Sequence, residues 1–195
     1  KTRYVDERTN HMFVRIDEGE NDIFPIEKRT LENIKWDSYD AVVISDYCKG
    51  FITEDDIAYI SQKHTNTFLD TKKSIGTWAS DINFIKINEV ELDHSIGFLH
   101  DNEKYFSQKV ITTLGSRGAQ YEGQIYPVDK VDVRDTSGAG DTFLAGLVYA
   151  YIKCNINNSD TRMSESIKFA NKCSTQIVQK KGTAKINLKE LNNEV

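Results

Sequence analysis

The chain has 195 residues, of which 38% are hydrophobic and 28% charged, with a formal net charge of −5. That length and balance suit a single globular domain with a core, or one domain and a small appendage. The acidic balance leaves no basic field for nucleic acid or a membrane surface, and apolar runs such as Ala41-Val42-Val43-Ile44 are too short for a transmembrane span or a signal peptide.

Lys1 to Arg8 and His11 to Asp17 alternate polar and apolar residues around Thr9-Asn10, the pattern of a β-hairpin. Residues 1–20 are therefore set apart from an α/β domain over 21–195. A hairpin with Val5, Phe13, Val14 and Ile16 on its faces is marginal alone and has edges that seek partners, so a homodimer through it is expected. From Pro25 to Trp36, Ile26, Leu31 and Ile34 predict a short amphipathic helix with Pro at its start.

Tyr39 to Ser45 is a continuous apolar strand of the kind buried in parallel sheets. Asp46-Tyr47-Cys48-Lys49-Gly50 follows as a loop, and Thr53-Glu54-Asp55-Asp56 caps a helix running to His64. Thr67-Phe68-Leu69 is the next strand and ends in Asp70-Thr71-Lys72. Ile82 to Ile87 is another, ending in Asn88-Glu89-Val90-Glu91, and Val110 to Thr113 leads into Leu114-Gly115-Ser116-Arg117-Gly118. Strands alternating with helices predict a doubly wound, mostly parallel sheet flanked by helices. The polar motifs all fall at the C-terminal ends of strands, the edge at which open α/β sheets bind ligands.

Ala119 to Glu122 and Gln124 to Val128 are short strands turning at Gly123, and Val131 to Val133 leads into a glycine-rich stretch. Ser164 to Lys181 forms a late helix with Ile167, Phe169, Ala170, Ile177 and Val178 on its apolar positions, and the tail from Leu188 is short and charged. Cys48, Cys154 and Cys173 are odd in number and widely spaced, as for free buried thiols in a reducing cytosol rather than a metal cluster, and the histidines show no ligand spacing.

The chemistry concentrates in Asp135-Thr136-Ser137-Gly138-Ala139-Gly140-Asp141-Thr142-Phe143. Gly138 and Gly140 allow a tight turn with uncovered N–H groups, and the helix that follows adds unpaired donors and partial positive charge. Such a place suits an anion, including a phosphoryl group in transfer, and Asp141 beside it could take a proton from an attacking hydroxyl. The same pattern also describes a plain helix start with an acidic residue in its first turn. It is no P-loop, for no Gly-Lys-Ser/Thr follows, and Phe143 stands where a third glycine would complete G-x-G-x-x-G.

The stretch Asp-Thr-x-Gly-Ala-Gly-Asp-Thr-Phe resembles the C-terminal signature of the ribokinase superfamily, the phosphofructokinase-B type of carbohydrate kinases. The resemblance implies a ribokinase-like fold, ATP as phosphoryl donor, Asp141 as catalytic base, and Gly138, Ala139 and Gly140 as the backbone anion hole. Asn88-Glu89-Val90-Glu91 is similar to the family's N-x-x-E motif, which implies a place for Mg²⁺ reached through water from Glu91; the same four residues could equally just cap a helix. Thr113, Gly115 and Gly118 match its nucleotide loop, Asn171 and Gly182 fall where it lines the adenine pocket, with Thr183 next to them, and Asp135 resembles a position supporting a monovalent cation such as K⁺. Lys72 would neutralise phosphate charge, or is simply a solvated lysine.

Asp46 to Gly50 and Asp70 to Lys72 resemble segments of bacterial heptose-phosphate kinases, which usually carry Gly at the Cys48 position and Pro at the Thr71 position. In the family the N-terminal strands form a lid over the sugar, although Lys1 to Asp17 would serve as well as a simple edge hairpin. Members extend further at the N-terminus, so this chain is expected to be a C-terminal portion. The interval from Glu91 to Thr113 is too short for the family's usual helix–strand–helix path. The implied function is phosphorylation of a sugar or sugar-phosphate hydroxyl in the cytoplasm. The alternatives are a non-catalytic nucleotide-binding or structural module of the same fold, or a nucleoside kinase.

Overall fold

The computed structural model describes residues 1–9, 11–19, 22–154, 156, 158–182 and 184–192. Asn10 at the expected hairpin tip, Glu20 and Asn21 at the expected domain boundary, and Thr183 lie outside the described residues. Strand β1 (Thr2–Val5) pairs antiparallel with β2 (Met12–Ile16), with Arg3 opposite Arg15. Asp6 Oδ1 accepts from the N–H groups of Arg8 and Thr9 and from the Thr9 hydroxyl, which shapes the turn. Every residue of the two strands is exposed.

The helix expected from Pro25 to Trp36 is only α1 (Lys28–Glu32), followed by a separate 3-10 turn over Trp36–Ser38. Glu27 at its N-cap makes no side-chain cap, so nothing extends the helix toward Pro25. Ile26 and Ile34 still pack on the core from the flanks, and the Ile26 N–H donates to Phe51 O (2.8 Å).

The main sheet has six strands, adjacent in chain order: β3 (Val42–Asp46), β4 (Thr67–Thr71), β5 (Phe84–Asn88), β6 (Val110–Thr113), β7 (Ala119–Tyr121) and β8 (Gln124–Tyr126). The first four run parallel and the last two antiparallel. Strand alternation sends Ile44, Leu69, Ile85 and Ile87 to one face, against α2 (Glu54–Ser61), α3 (Glu89–Asp101) and α4 (Glu103–Phe106). Phe68, Ile111 and Ala119 face the other way, against α5 (Ala139–Lys153) and α6 (Ser159–Val178). Helices on both faces with a mostly parallel sheet fulfil the expected fold class.

Strand β3 departs from full burial. It is an edge strand, and while Ile44 is buried on its inner face, Val43 on the opposite face is 46% exposed. Helix α2 ends at Ser61 rather than His64, but its Thr53–Asp56 capping box is present as expected. Between β5 and β6 only α3 and the short α4 intervene, with no strand. Helix α6 starts at Ser159 rather than Ser164 because Asn158 caps it, Oδ1 accepting from Thr161 N (2.9 Å), and it ends at Val178 rather than Lys181. The expected tail contains α7 (Leu188–Asn192), which buries Leu191.

All three cysteines are free, but only Cys173 is buried; Cys154 is half-buried as the C-cap of α5 and Cys48 is exposed in the turn after β3. Cys173 packs where α5 and α6 come closest: a Cβ on Gly146 would lie 2.9 Å from its Sγ. No helix among the described residues is long and apolar enough to cross a membrane.

Candidate active site

Gly138 is the N-cap of α5 and holds φ 79°, a left-handed conformation that glycine adopts without strain. No side chain caps this end; the Ala139 N–H donates to Thr136 O (3.2 Å), while the N–H groups of Gly140 and Asp141 have no partner among the described residues, and Gly138, Ala139 and Gly140 line a cavity. Asp141 sits in the first helical turn and is exposed to the same cavity, whose volume is about 1280 Å³.

Two residues beneath this turn escaped the sequence reading. Lys86 on β5 is 4% exposed, and its Nζ lies 3.0 Å from where a Cβ on Gly140 would stand. It pairs with the buried Asp70 at the end of β4 (2.9 Å). Burial pushes the Asp70 carboxyl above the usual carboxylate range, and the Lys86 ammonium offsets this only in part. Asp70 Oδ1 has no hydrogen-bond partner among the described residues. The available signal was a lysine inside the apolar run Phe84-Ile85-Lys86-Ile87, since a buried charge demands a partner. The second is Tyr47, whose hydroxyl donates to Asp141 Oδ1 (2.8 Å). That hydrogen bond, aided by burial, pushes the Tyr47 phenol up to about 12.

On the opposite wall Asn88 caps α3. Its Oδ1 accepts from Glu91 N (2.9 Å), while Glu91 Oε2 accepts from Asn88 N (2.8 Å). Glu91 Oε1 accepts from Asn88 Nδ2 (2.9 Å) and forms an ion pair with Lys72. The N-x-x-E sequence thus does cap a helix. Asn88, Glu89, Val90 and Lys72 line the cavity, whereas Glu91 is buried behind them. The end of β6 contributes Thr113, and the loop after it Gly115 and Gly118. Gly118 has φ 91°, and a Cβ there would lie 2.0 Å from Tyr126 O, so glycine is required twice over.

Asn171 on α6 is buried, lines the cavity and donates through Nδ2 to Tyr126 O (2.8 Å). One turn on, the Ser174 hydroxyl donates to Ala139 O (3.1 Å), tying α6 to the glycine turn. Asp135 accepts from Ser137 N (2.8 Å) and Gly182 N (3.1 Å), and the Ser137 N–H holds its carboxyl below the usual range. Asp135 and Gly182 stand together beside the cavity rather than in its lining. No cluster of three or more His, Cys, Asp or Glu gathers among the described residues. With the Glu91 oxygens already engaged, the donor set fits a cation that arrives with its own phosphate and water ligands, and not a protein cage.

The sequence matches the pfkB family carbohydrate kinase profile over residues 2–190. It is 30% identical to the bifunctional protein HldE of a Nitratiruptor species, over 94% of this chain and 42% of that protein. The chain spans less than half the length of the HldE proteins it matches. Ribokinase from Giardia lamblia superposes with a TM-score of 0.71 at 20% identity, covering 99% of this chain and 71% of that one. Aminoimidazole riboside kinase from Salmonella enterica, solved with aminoimidazole riboside and an ATP analogue, gives a TM-score of 0.57 at 25% identity over 70% of this chain and 54% of that one.

Proposed function

This chain belongs to the pfkB family of carbohydrate kinases, and from that premise we propose that it forms the nucleotide-binding and catalytic part of an ATP-dependent kinase acting on a sugar or sugar-phosphate hydroxyl. The observation that carries this is the convergence on one cavity of Asp141, the Gly138–Gly140 turn and the loops bearing Asn88 and Gly118.

ATP lies across the ends of β5 and β6, along Asn88, Thr113 and Gly115, with its adenine toward Asn171. Lys72 and Lys86 neutralise phosphate charge, and the open amides of α5 stabilise the charge on the transferring group. Asp141 takes the proton of the acceptor hydroxyl as that oxygen attacks the γ-phosphorus and the bond to the bridging oxygen of ADP breaks. Mg²⁺ entering with the nucleotide would be reached through water from Glu91, and would supply further neutralisation of the phosphates. A K⁺ ion would sit beside the anion hole near Asp135.

Lys1, Arg3, Arg15 and Lys49 line the cavity from the hairpin and the turn after β3. The charge of Lys1 and Arg3 favours an acceptor that already carries a phosphate, and the likeness to HldE favours a heptose phosphate. The hairpin then acts as a lid, and its exposed Val5, Phe13, Val14 and Ile16 pair with a second copy in a homodimer. The reaction belongs in the cytoplasm, where ATP is at hand.

The test is a full-length protein assayed with ATP against sugars, sugar phosphates and nucleosides, beside Asp141→Asn. As base, Asp141 is worth about 10²–10⁴-fold in turnover, and ATP affinity should change little because the anion hole is backbone. If Asp141 only caps the helix, Asn caps it as well. Retention of more than about a third of wild-type turnover would refute the assignment.

A further inference from the structure

We propose that Tyr47 is a positioning residue of this site: its hydroxyl holds the Asp141 carboxylate by Oδ1, in one orientation, and leaves Oδ2 to receive the acceptor proton. This rests on the phosphoryl-transfer reading of Asp141. The contact joins residues 94 positions apart, the turn after β3 and the first turn of α5 (2.8 Å). The carboxylate makes no other hydrogen bond among the described residues.

The turn that delivers Tyr47 is fastened at both ends. Asp46 Oδ1 accepts from Cys48 N (3.0 Å), Asp46 Oδ2 accepts from the Thr71 hydroxyl (2.9 Å) and Asp46 O accepts from Lys72 N (3.1 Å). Lys73 pairs with the Asp46 carboxylate and donates also to Ile52 O (2.8 Å), so one ammonium bridges the entry and exit of the turn. Between them Cys48 adopts φ 55°, a left-handed conformation costly for a residue with a side chain. Strain of this kind persists where the surroundings over-determine it, and here they aim the preceding side chain at Asp141. Burial does not seat the ring, since Tyr47 is 47% exposed.

The charges acting on the phenol are those of Asp141 and Asp70, and Lys1 Nζ lies over the ring at 5.5 Å. With its ionisation displaced to about 12, the phenol stays protonated at working pH and acts only as a donor. It therefore cannot compete with Asp141 for the acceptor proton. Its service is to fix the base, which otherwise rotates freely in an open cavity.

The experiment uses the full-length protein as wild type, Tyr47→Phe, Asp141→Asn and the double variant. Tyr47→Phe removes one oxygen from a half-exposed ring and should fold. Its kcat should fall about ten- to a hundredfold, the range of a hydrogen bond to a charged group, with KM for ATP within about twofold. The double variant should be no slower than Asp141→Asn alone, because the two act as a unit. A Tyr47→Phe enzyme within about twofold of wild-type kcat, or losses that simply multiply, would overturn the proposal.

A second readout needs no turnover. In ¹³C-tyrosine NMR, the signal lost in Tyr47→Phe should titrate near 12 in the wild type and move toward 10 in Asp141→Asn. An unmoved titration would remove the hydrogen bond and the proposal while leaving the transfer reading intact. A wild type inactive with every acceptor would sink the transfer reading and with it any positioning role.

Discussion

The buried pair Asp70–Lys86 allows a quantitative test of what holds the floor of the cavity. Side-chain exposure is 5% for Lys86 and 11% for Asp70, so solvent screens the pair little. Lys86→Met removes the cation and leaves a buried carboxylate with neither oxygen paired among the described residues, since Oδ1 already lacks a partner there. Breaking a buried pair from one side costs about 3–5 kcal/mol, whereas replacing both partners by groups of similar volume is often close to neutral. Urea unfolding at pH 7 should therefore show Lys86→Met destabilised by that amount, and Asp70→Leu/Lys86→Met within about 1 kcal/mol of wild type. The pH dependence has a definite sign. Because burial raises the folded carboxyl above its ordinary 3.8, the folded state keeps this proton after the unfolded chain has lost it. Stability from Asp70 is thus fully present below 3.8 and is lost as pH rises through the raised folded value, and Asp70→Asn should flatten that slope. A Lys86→Met protein within about 1 kcal/mol of wild type, or a double replacement as costly as the two single losses together, would refute the reasoning.

Gly146→Ala should destabilise by about 0.5–2 kcal/mol, the overpacking against Cys173 and the Ala170 backbone less the helix propensity gained; combined with Cys173→Ala part of the loss should return, because the Sγ contact is the tightest, and an undiminished loss would refute that contact as the main clash. Light scattering of the full-length protein at high concentration should report a dimer that Phe13→Glu dissociates, and a monomeric wild type would dispose of pairing through the hairpin.

The strand-end motifs were legible because each is local. Thr53 and Asp56, or Asn88 and Glu91, satisfy one another within a single turn, so spacing alone locates them. Gly118 and Gly138 announce backbone conformations that other residues resist. What stayed hidden is long-range. Nothing near Tyr47 in sequence points to Asp141, and Lys86 looked like a strand residue until the Gly140 turn came to rest above it. The ends of α1 and α6 were misjudged for the opposite reason: apolar spacing marks a face, but a cap such as Asn158, or the lack of one at Glu27, decides where the helix begins. The exposure of Val43 depends on the position of β3 at the sheet edge, which no residue in the strand encodes.

The order of strands and helices also governs how this chain emerges from the ribosome. The segments joining β3 to β4 and β5 to β6 cover one side of the sheet as each is made, through contacts close in sequence. The other side, with Phe68, Phe84 and Ile111, waits for α5 and α6, which lie 13 or more residues after β8 in the sequence. Until residues 139–178 have cleared the exit tunnel, the aromatic and aliphatic groups on that side lack the two helices that pack over them. Such a species is the kind that chaperones shield and that self-associates when they do not.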